Sequence, residues 1–214
     1  MINRKEFVSF MIEAGVLTFG DFVTKSGRKT PYFVNTGNYR TGAHLSRLGA
    51  YYADLVAEVA ADNGMPEILF GPAYKGIPLV AVTAAALWER HKIDVSYCFN
   101  RKEAKDHGEG GTLVGQKNME GKNVAIIEDV ITAGTAVRET LPILKDAGAI
   151  VKDMFISCDR MEKGQGGTTA VAEVKAEFGI TVHPIVTVKD ILDAISPSKE
   201  ADAMIEYMKQ YCVL

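Results

Sequence analysis

Residues 123–140 read NVAIIEDVITAGTAVRET, and their order decides the fold. Asn123 to Ile127 is a short, β-branched run of the kind that forms a buried strand. Glu128 and Asp129 follow, then the small turn Thr132-Ala133-Gly134-Thr135, and then the helical pattern TAVRETLPILKDAG. A strand that passes through a tight turn straight into a helix is half of a βαβ unit. The same alternation extends on both sides: EILFG (67–71), the helix IPLVAVTAAALWER (77–90), VSYCF (95–99), MFISC (154–158), the helix AVAEVKAEFG (170–179) and VHPIVTV (182–188). The expected fold class is α/β, a mostly parallel sheet flanked by helices.

Upstream the periods change. Asn3 with Glu6 reads as a helix start, and Phe7, Phe10, Met11 and Ala14 share one face up to Gly15. LTFGDFV and PYFVN, separated by the polar turn SGRKT, predict a hairpin. Leu45, Leu48, Tyr52, Leu55, Val56 and Val59 then predict a long amphipathic helix to about Asp62. The sequence is thus read as one domain over 1–214, with a small N-terminal helix-plus-hairpin hood (1–40) on an α/β core (41–214). Asn100 to Gly121 is glycine-rich and weakly periodic, and is read as a long loop.

A chain of 214 residues, 47% hydrophobic and 24% charged, can fill one core. Its net charge of -3 gives no general attraction for nucleic acid, so an anion must be held by a local site. Cys98, Cys158 and Cys212 have neither disulfide-framework nor zinc spacing. The N-terminus lacks a signal-peptide core, and the richest apolar run, Ile77 to Trp88, is too short to span a bilayer. The expectation is a cytoplasmic protein without a membrane or nucleic-acid partner.

Ligands of parallel sheets bind beyond the carboxyl ends of the strands, which singles out three loops. At 128–135, amides at the helix start and the hydroxyls of Thr132 and Thr135 can surround a phosphate, Gly134 permits close approach, and Glu128 and Asp129 suit ribose hydroxyls. The competing reading is two carboxylates capping a helix. No GxxxxGK followed by Ser or Thr occurs, so a monophosphate end fits better than a nucleoside triphosphate. In NRKEAKDHGEGG (100–111), Arg101, Lys102, Lys105 and His107 precede a glycine hinge; such a lid could neutralise a departing diphosphate, or be an ordinary solvated loop. GPAYKGIP (71–78) puts Tyr74 and Lys75 at a turn tip whose amides could bind diphosphate oxygens, although a lone turn lysine also serves solubility.

IIEDVITAGT resembles the donor signature of the type I phosphoribosyltransferases, which use phosphoribosyl pyrophosphate (PRPP). Together with KSGRKTPYFVN, GPAYKGIPL, FNRKEAKDHGEGG and SCDR, in this order, it is similar to the orotate phosphoribosyltransferases over nearly the whole chain. The resemblance implies conversion of orotate and PRPP to orotidine 5′-monophosphate and diphosphate, a step of pyrimidine synthesis. It implies that Lys25, Tyr74 and Lys75 contact the donor, and that Glu128, Asp129, Val130, Ile131, Thr132, Ala133, Gly134, Thr135 and Ala136 hold its ribose and 5-phosphate. Phe33, Val34, Thr132 and Arg160 would meet orotate. The implied catalytic set is Arg101, Lys102, Lys105, His107 and Asp129. Magnesium (Mg2+) would be held mainly through the substrate, with no protein cage. A homodimer sharing the cationic loop across subunits is also implied.

Val34 stands where a second aromatic is common in the resembled family, and Glu128 where Asp is usual. A transferase for uracil or a purine, or a PRPP-sensing regulator, would keep the donor loop. Arg160 and Lys25 speak against the first, and the full cationic lid against the second, which also lacks a helix-turn-helix extension or basic stripe. His44, His91, His183 and Trp88 read as packing or surface residues, and Cys158, near the predicted pocket, has no neighbouring base visible in the sequence that would make it a nucleophile.

Overall fold

The computed structural model describes residues 2–24, 27–105, 111–131, 134–164 and 167–213, with the side chains of residues 104, 105 and 111 outside the description. Helix α1 (Arg4–Glu13) starts where Asn3 accepts a hydrogen bond from the Glu6 amide (3.2 Å), and it buries Phe7, Val8, Phe10 and Met11. Strands β1 (Leu17–Val23) and β2 (Lys29–Val34) pair antiparallel, Leu17 opposite Val34, with a bulge between Phe19 and Phe22. The helix and hairpin expected from the sequence are both present. A short 3-10 turn, Thr36–Asn38, leads to α2 (Gly42–Asn63), capped by Thr41 Oγ1 on the His44 amide (3.1 Å).

The remaining elements are β3 (Ile68–Gly71), α3 (Gly76–His91), β4 (Ser96–Lys105), β5 (Gly111–Gly115), β6 (Asn123–Ile127), α4 (Thr135–Asp146), β7 (Ile150–Asp159), α5 (Ala170–Phe178), β8 (Thr181–Thr187), α6 (Val188–Ile195) and α7 (Lys199–Tyr211). The main sheet has the order β5-β4-β3-β6-β7-β8; β5 is antiparallel to its neighbour and the other pairs are parallel. This is the α/β architecture that the alternation predicts.

Period-two alternation assigns each strand residue to a side of the sheet. Leu69, Ala125, Ile127, Phe155 and Ile185 pack with the hood and with α2, α3, α6 and α7. Ile68, Phe70, Val124, Ile126, Met154 and Ile156 pack with Val137, Leu141 and Leu144 of α4 and Val174 of α5. Each fully buried large side chain contributes about 1.5–3 kcal/mol by leaving water, so the two apolar layers fix the register of the sheet. Strand β3 is followed in sequence by β4 on one flank and later by β6 on the other, which makes the β3/β6 boundary the topological switch point. With Phe70 opposite Ile126, both strands deliver their last residues to the same end.

Two segments depart from the sequence reading. The stretch read as a loop from Asn100 is largely a hairpin arm: β4 continues to Lys105 and pairs with β5 through Asn100↔Leu113 and Lys105↔Gly111. Backbone pairing carries the strand through a charged segment that offers no apolar alternation to read. Val188, taken as the end of a strand, instead begins α6, because Thr187 and Asp190 form a reciprocal capping box. Among the described residues no helix is long and apolar enough to cross a membrane.

Candidate active site

The acidic pair lies at the carboxyl end of β6, at the switch point. Its backbone is fixed from behind: the buried Tyr52 hydroxyl donates to Glu128 O (2.7 Å), and Ser157 donates to Asp129 O through its amide (2.9 Å) and hydroxyl (2.7 Å). Val130 bridges to Cys158 of β7. Both carboxylates are buried and differ in charge state. Burial, reinforced by the neighbouring Asp129 charge, pushes the Glu128 carboxyl up to about 8, while its Oε1 accepts from the Asp129 amide (2.9 Å). Burial would also raise Asp129, but hydrogen bonds from Lys75 and Thr36 outweigh it and hold that carboxyl below its usual range. Near neutral pH the pair therefore carries one proton and one negative charge.

Lys75 comes from the turn after β3. Its Nζ lies 2.6 Å from Asp129 Oδ2 and 3.1 Å from Thr36 Oγ1, and Thr36 itself donates to Asp129 Oδ2 at 2.6 Å. The turn is tight because its glycines touch: a Cβ on Gly71 would lie 2.2 Å from Gly76 O. Tyr74 at the tip is 67% exposed, with the ammonium of Lys102 5.4 Å from its ring centroid. The Ala73 amide donates to Asn100 Oδ1 (2.9 Å), which fastens the turn to the base of the β4–β5 arm. Thus the first residues of the cationic segment reach the β3 turn.

At the start of α4, Gly134 takes a left-handed conformation (φ 67°), which a residue with a Cβ adopts only with strain, and Thr135 opens the helix. A phosphate-binding helix entrance has this form. Lys75, Asp129 and Thr36 line a cavity of about 160 Å³ together with Tyr39, Tyr52 and Ser157.

Arg160 follows β7 and is largely buried, its side chain 17% exposed. It lies over the Tyr32 ring at 5.2 Å and donates from Nη2 to Glu162 Oε1 at 2.5 Å. Burial opposes its charge, but Tyr32 and Glu162 outweigh that and keep the guanidinium protonated. The ion pair with Glu162 is thus largely withdrawn from water. Phe33 is 42% exposed and packs against Phe22 at 5.7 Å, whereas Val34 is half-buried against the core.

The structure brings together Tyr74, Lys75, Lys102, Glu128 and Asp129, with Val130 and Ile131 leading to Gly134, Thr135 and Ala136. Arg101 is half-buried on β4. Lys25, His107, Thr132 and Ala133 lie outside the described residues, as does the side chain of Lys105. Arg160, just after β7, contacts Tyr32 and Glu162, whereas Phe33 on β2 packs on Phe22. Sequence reasoning missed Thr36, Ser157, Glu162, Arg28 and Tyr207; the one local signal was Glu162, two residues after Arg160. His183 pairs with Asp153 (2.7 Å) and His91 with Asp54 (2.7 Å), away from these loops. Burial, with Asp159 adjacent, pushes the Cys158 thiol up to about 12, which leaves it no nucleophile. Among the described residues no three His, Cys, Asp or Glu side chains gather to hold a metal.

Residues 44–166 match the phosphoribosyl transferase domain family. An orotate phosphoribosyltransferase of Clostridium beijerinckii is 52% identical, with 97% of each chain covered, and one of Clostridium botulinum is 49% identical at the same coverage. The crystal structure of orotate phosphoribosyltransferase from Francisella tularensis superposes with a TM-score of 0.87 at 37% identity, covering 97% of this chain and 100% of that one.

Proposed function

We propose, from the premise that this chain belongs to the orotate phosphoribosyltransferases, that it transfers ribose 5-phosphate from PRPP to orotate, giving orotidine 5′-monophosphate and diphosphate. The observation that carries the reading is the 2.6 Å contact between Lys75 and Asp129, which joins the β3 turn to the acidic strand end across the switch point. A diphosphate-bearing ribose needs both: amides and cations for the leaving group, carboxylates for the sugar hydroxyls. Hood and core would act as one catalytic unit, the hood supplying Phe33 and Val34 to the base.

Each residue has a physical task in this scheme. The helix entrance at Gly134, Thr135 and Ala136, with Thr132 and Ala133 before it, grips the 5-phosphate. Glu128 and Asp129 hold the ribose hydroxyls. Lys25, Tyr74 and Lys75 take the diphosphate, and Arg101, Lys102, Lys105 and His107 neutralise it as the C1–O bond breaks and negative charge collects on the departing oxygens. Arg160 meets the orotate carboxylate through charge-assisted donors, with Thr132 beside the ring. The base nitrogen then bonds to C1 of the ribose while positive charge on the ring is greatest.

The acidic pair suits magnesium, which commonly takes one or two protein carboxylates and completes its shell from phosphate oxygens, hydroxyls and water. When bound, the ion would neutralise diphosphate charge and order the donor; Glu128 and Asp129 are the residues placed to help hold it.

Dimerisation has its own support. Tyr74, Pro78, Ala81, Ala85 and Trp88 are all exposed and fall at alternating spacings of four and three along the start and outer face of α3. Trp88 is 54% exposed, and Tyr97 on β4 is exposed as well. Such an apolar stripe next to the cationic arm suits a second copy that receives that arm in its own site. A cytoplasmic enzyme on small anionic substrates fits the net charge of -3, which offers no general hold on nucleic acid.

The test is ultraviolet absorbance of orotate, uracil or hypoxanthine mixed with the protein, PRPP and magnesium. Orotate should be consumed only when both PRPP and magnesium are present. Turnover of another base without turnover of orotate overturns the substrate assignment.

A further inference from the structure

We infer that Glu162 is the positioning residue of the acidic-base subsite: it sets the orientation in which Arg160 meets the substrate carboxylate, and it ties that orientation to the hood and to α7. The inference rests on the orotate reading above. The Glu162 carboxylate, 16% exposed, is approached by donors from four segments. Arg28, just before β2, bonds Oε2, and Arg160 bonds Oε1. The Tyr207 hydroxyl of α7 donates to Oε1 at 2.7 Å, and the Tyr32 hydroxyl of β2 lies 3.5 Å away.

The backbone beneath is equally constrained. Glu162 bridges to Cys212, and the Lys163 amide donates to Tyr211 O (2.8 Å). The carboxylate thus projects from a strip clamped to the end of the last helix.

Three features make this more than a structural ion pair. Glu162 takes Nη2 of Arg160 while Nε faces the Tyr32 hydroxyl at 3.4 Å, so the Nη1/Nη2 end of the fork is the end left to grip a ligand carboxylate bidentately. Two guanidiniums also share one carboxylate, which leaves one positive charge in a partly buried place, the complement of a singly charged acidic base. Finally, among the described residues the buried Nε of Arg28 has no hydrogen-bond partner, and that side chain is held by Glu162 and by the rings of Tyr207 and Tyr211 (5.6 and 5.1 Å). Without the Glu162 charge the two cations repel, and Arg160 loses its fixed direction.

Glu162→Gln keeps the shape, but its amide can accept at one atom only and turns an N–H₂ toward a guanidinium. In steady-state assays it should raise KM for orotate about ten- to hundredfold, the worth of one charge-assisted hydrogen bond. KM for PRPP should stay within about twofold. Tyr207→Phe, which removes one donor to Oε1, should raise KM for orotate severalfold with kcat unchanged, and it decides the matter if E162Q does not fold. Unchanged or lowered KM for orotate overturns the inference, as does a parallel rise in both KM values, the mark of general damage. Wild-type protein that uses another base and not orotate fails the proposed function itself, before any variant is read.

Discussion

Replacing Glu128 by Gln isolates the cost of a buried carboxyl beside an ionised one. The side chain sits at the end of β6 with Asp129 adjacent, and its carboxyl is pushed from 4.5 up to about 8, chiefly by burial. The folded protein thus binds this proton more tightly than the unfolded chain does. Its contribution to stability is fully present below 4.5 and is lost as pH rises through about 8. At about 1.4 kcal/mol per pH unit that interval sets a ceiling of about 5 kcal/mol between variant and wild type above pH 8. Lys75, already on Asp129, can swing toward the new charge, so about 2–3 kcal/mol is expected. Gln keeps the acceptor used by the Asp129 amide, so little is lost at low pH. For a chain of this size, where 1 kcal/mol shifts Tm by roughly 2–4 °C, E128Q should melt roughly 4–12 °C above wild type at pH 9, and the gap should close toward pH 4.5. Calorimetric melts at several pH values measure it. A gap that does not vary with pH, or a wild type that gains on the variant as pH rises, refutes the reasoning.

The same proton bears on catalysis. A sugar hydroxyl or magnesium favours the ionised carboxylate, so KM for PRPP should fall as pH rises toward 8, and E128Q should lack that limb in initial-rate profiles. Lys105→Ala should lower kcat by a hundredfold or more while leaving donor affinity within severalfold, measured by rapid mixing and equilibrium binding; equal activity ends the lid assignment. Tyr52→Phe leaves Glu128 O without its buried donor and should cost about 1–3 kcal/mol in urea titrations. Trp88→Glu sets a charge in the exposed α3 stripe and should give monomers by sedimentation with activity lost in parallel; a wild-type protein that sediments as a monomer contradicts the dimer.

The sequence disclosed what is local. Strand β6, the acid pair and the helix entrance lie within one continuous segment, so their chemistry could be read in order. The β3 turn was legible for the same reason, since Gly71 and Gly76 bracket Tyr74 and Lys75. Other parts depend on distant partners. The β4–β5 arm escaped because a strand held by backbone pairing needs no apolar alternation, and residues 101–105 are mostly charged. Helix α7 was passed over although Met204, Tyr207 and Met208 recur at helical spacing, since their polar neighbours mask the stripe. The Glu162 cluster draws on positions 28, 32, 160 and 207, and no pattern along the chain links these. Thr36 was equally hidden: its partner Asp129 lies 93 positions away.

Among the described residues the hairpin of the hood is a sheet of its own, with no strand hydrogen-bonded into the six-stranded sheet. Mutation can therefore rewrite exposed positions such as Phe33 without unzipping a rung of the ladder beneath. Under the proposed assignment of Phe33 to the base, that contact can drift over generations at the pace of a surface, while the acidic pair proposed for the sugar is anchored in an interior that tolerates little change.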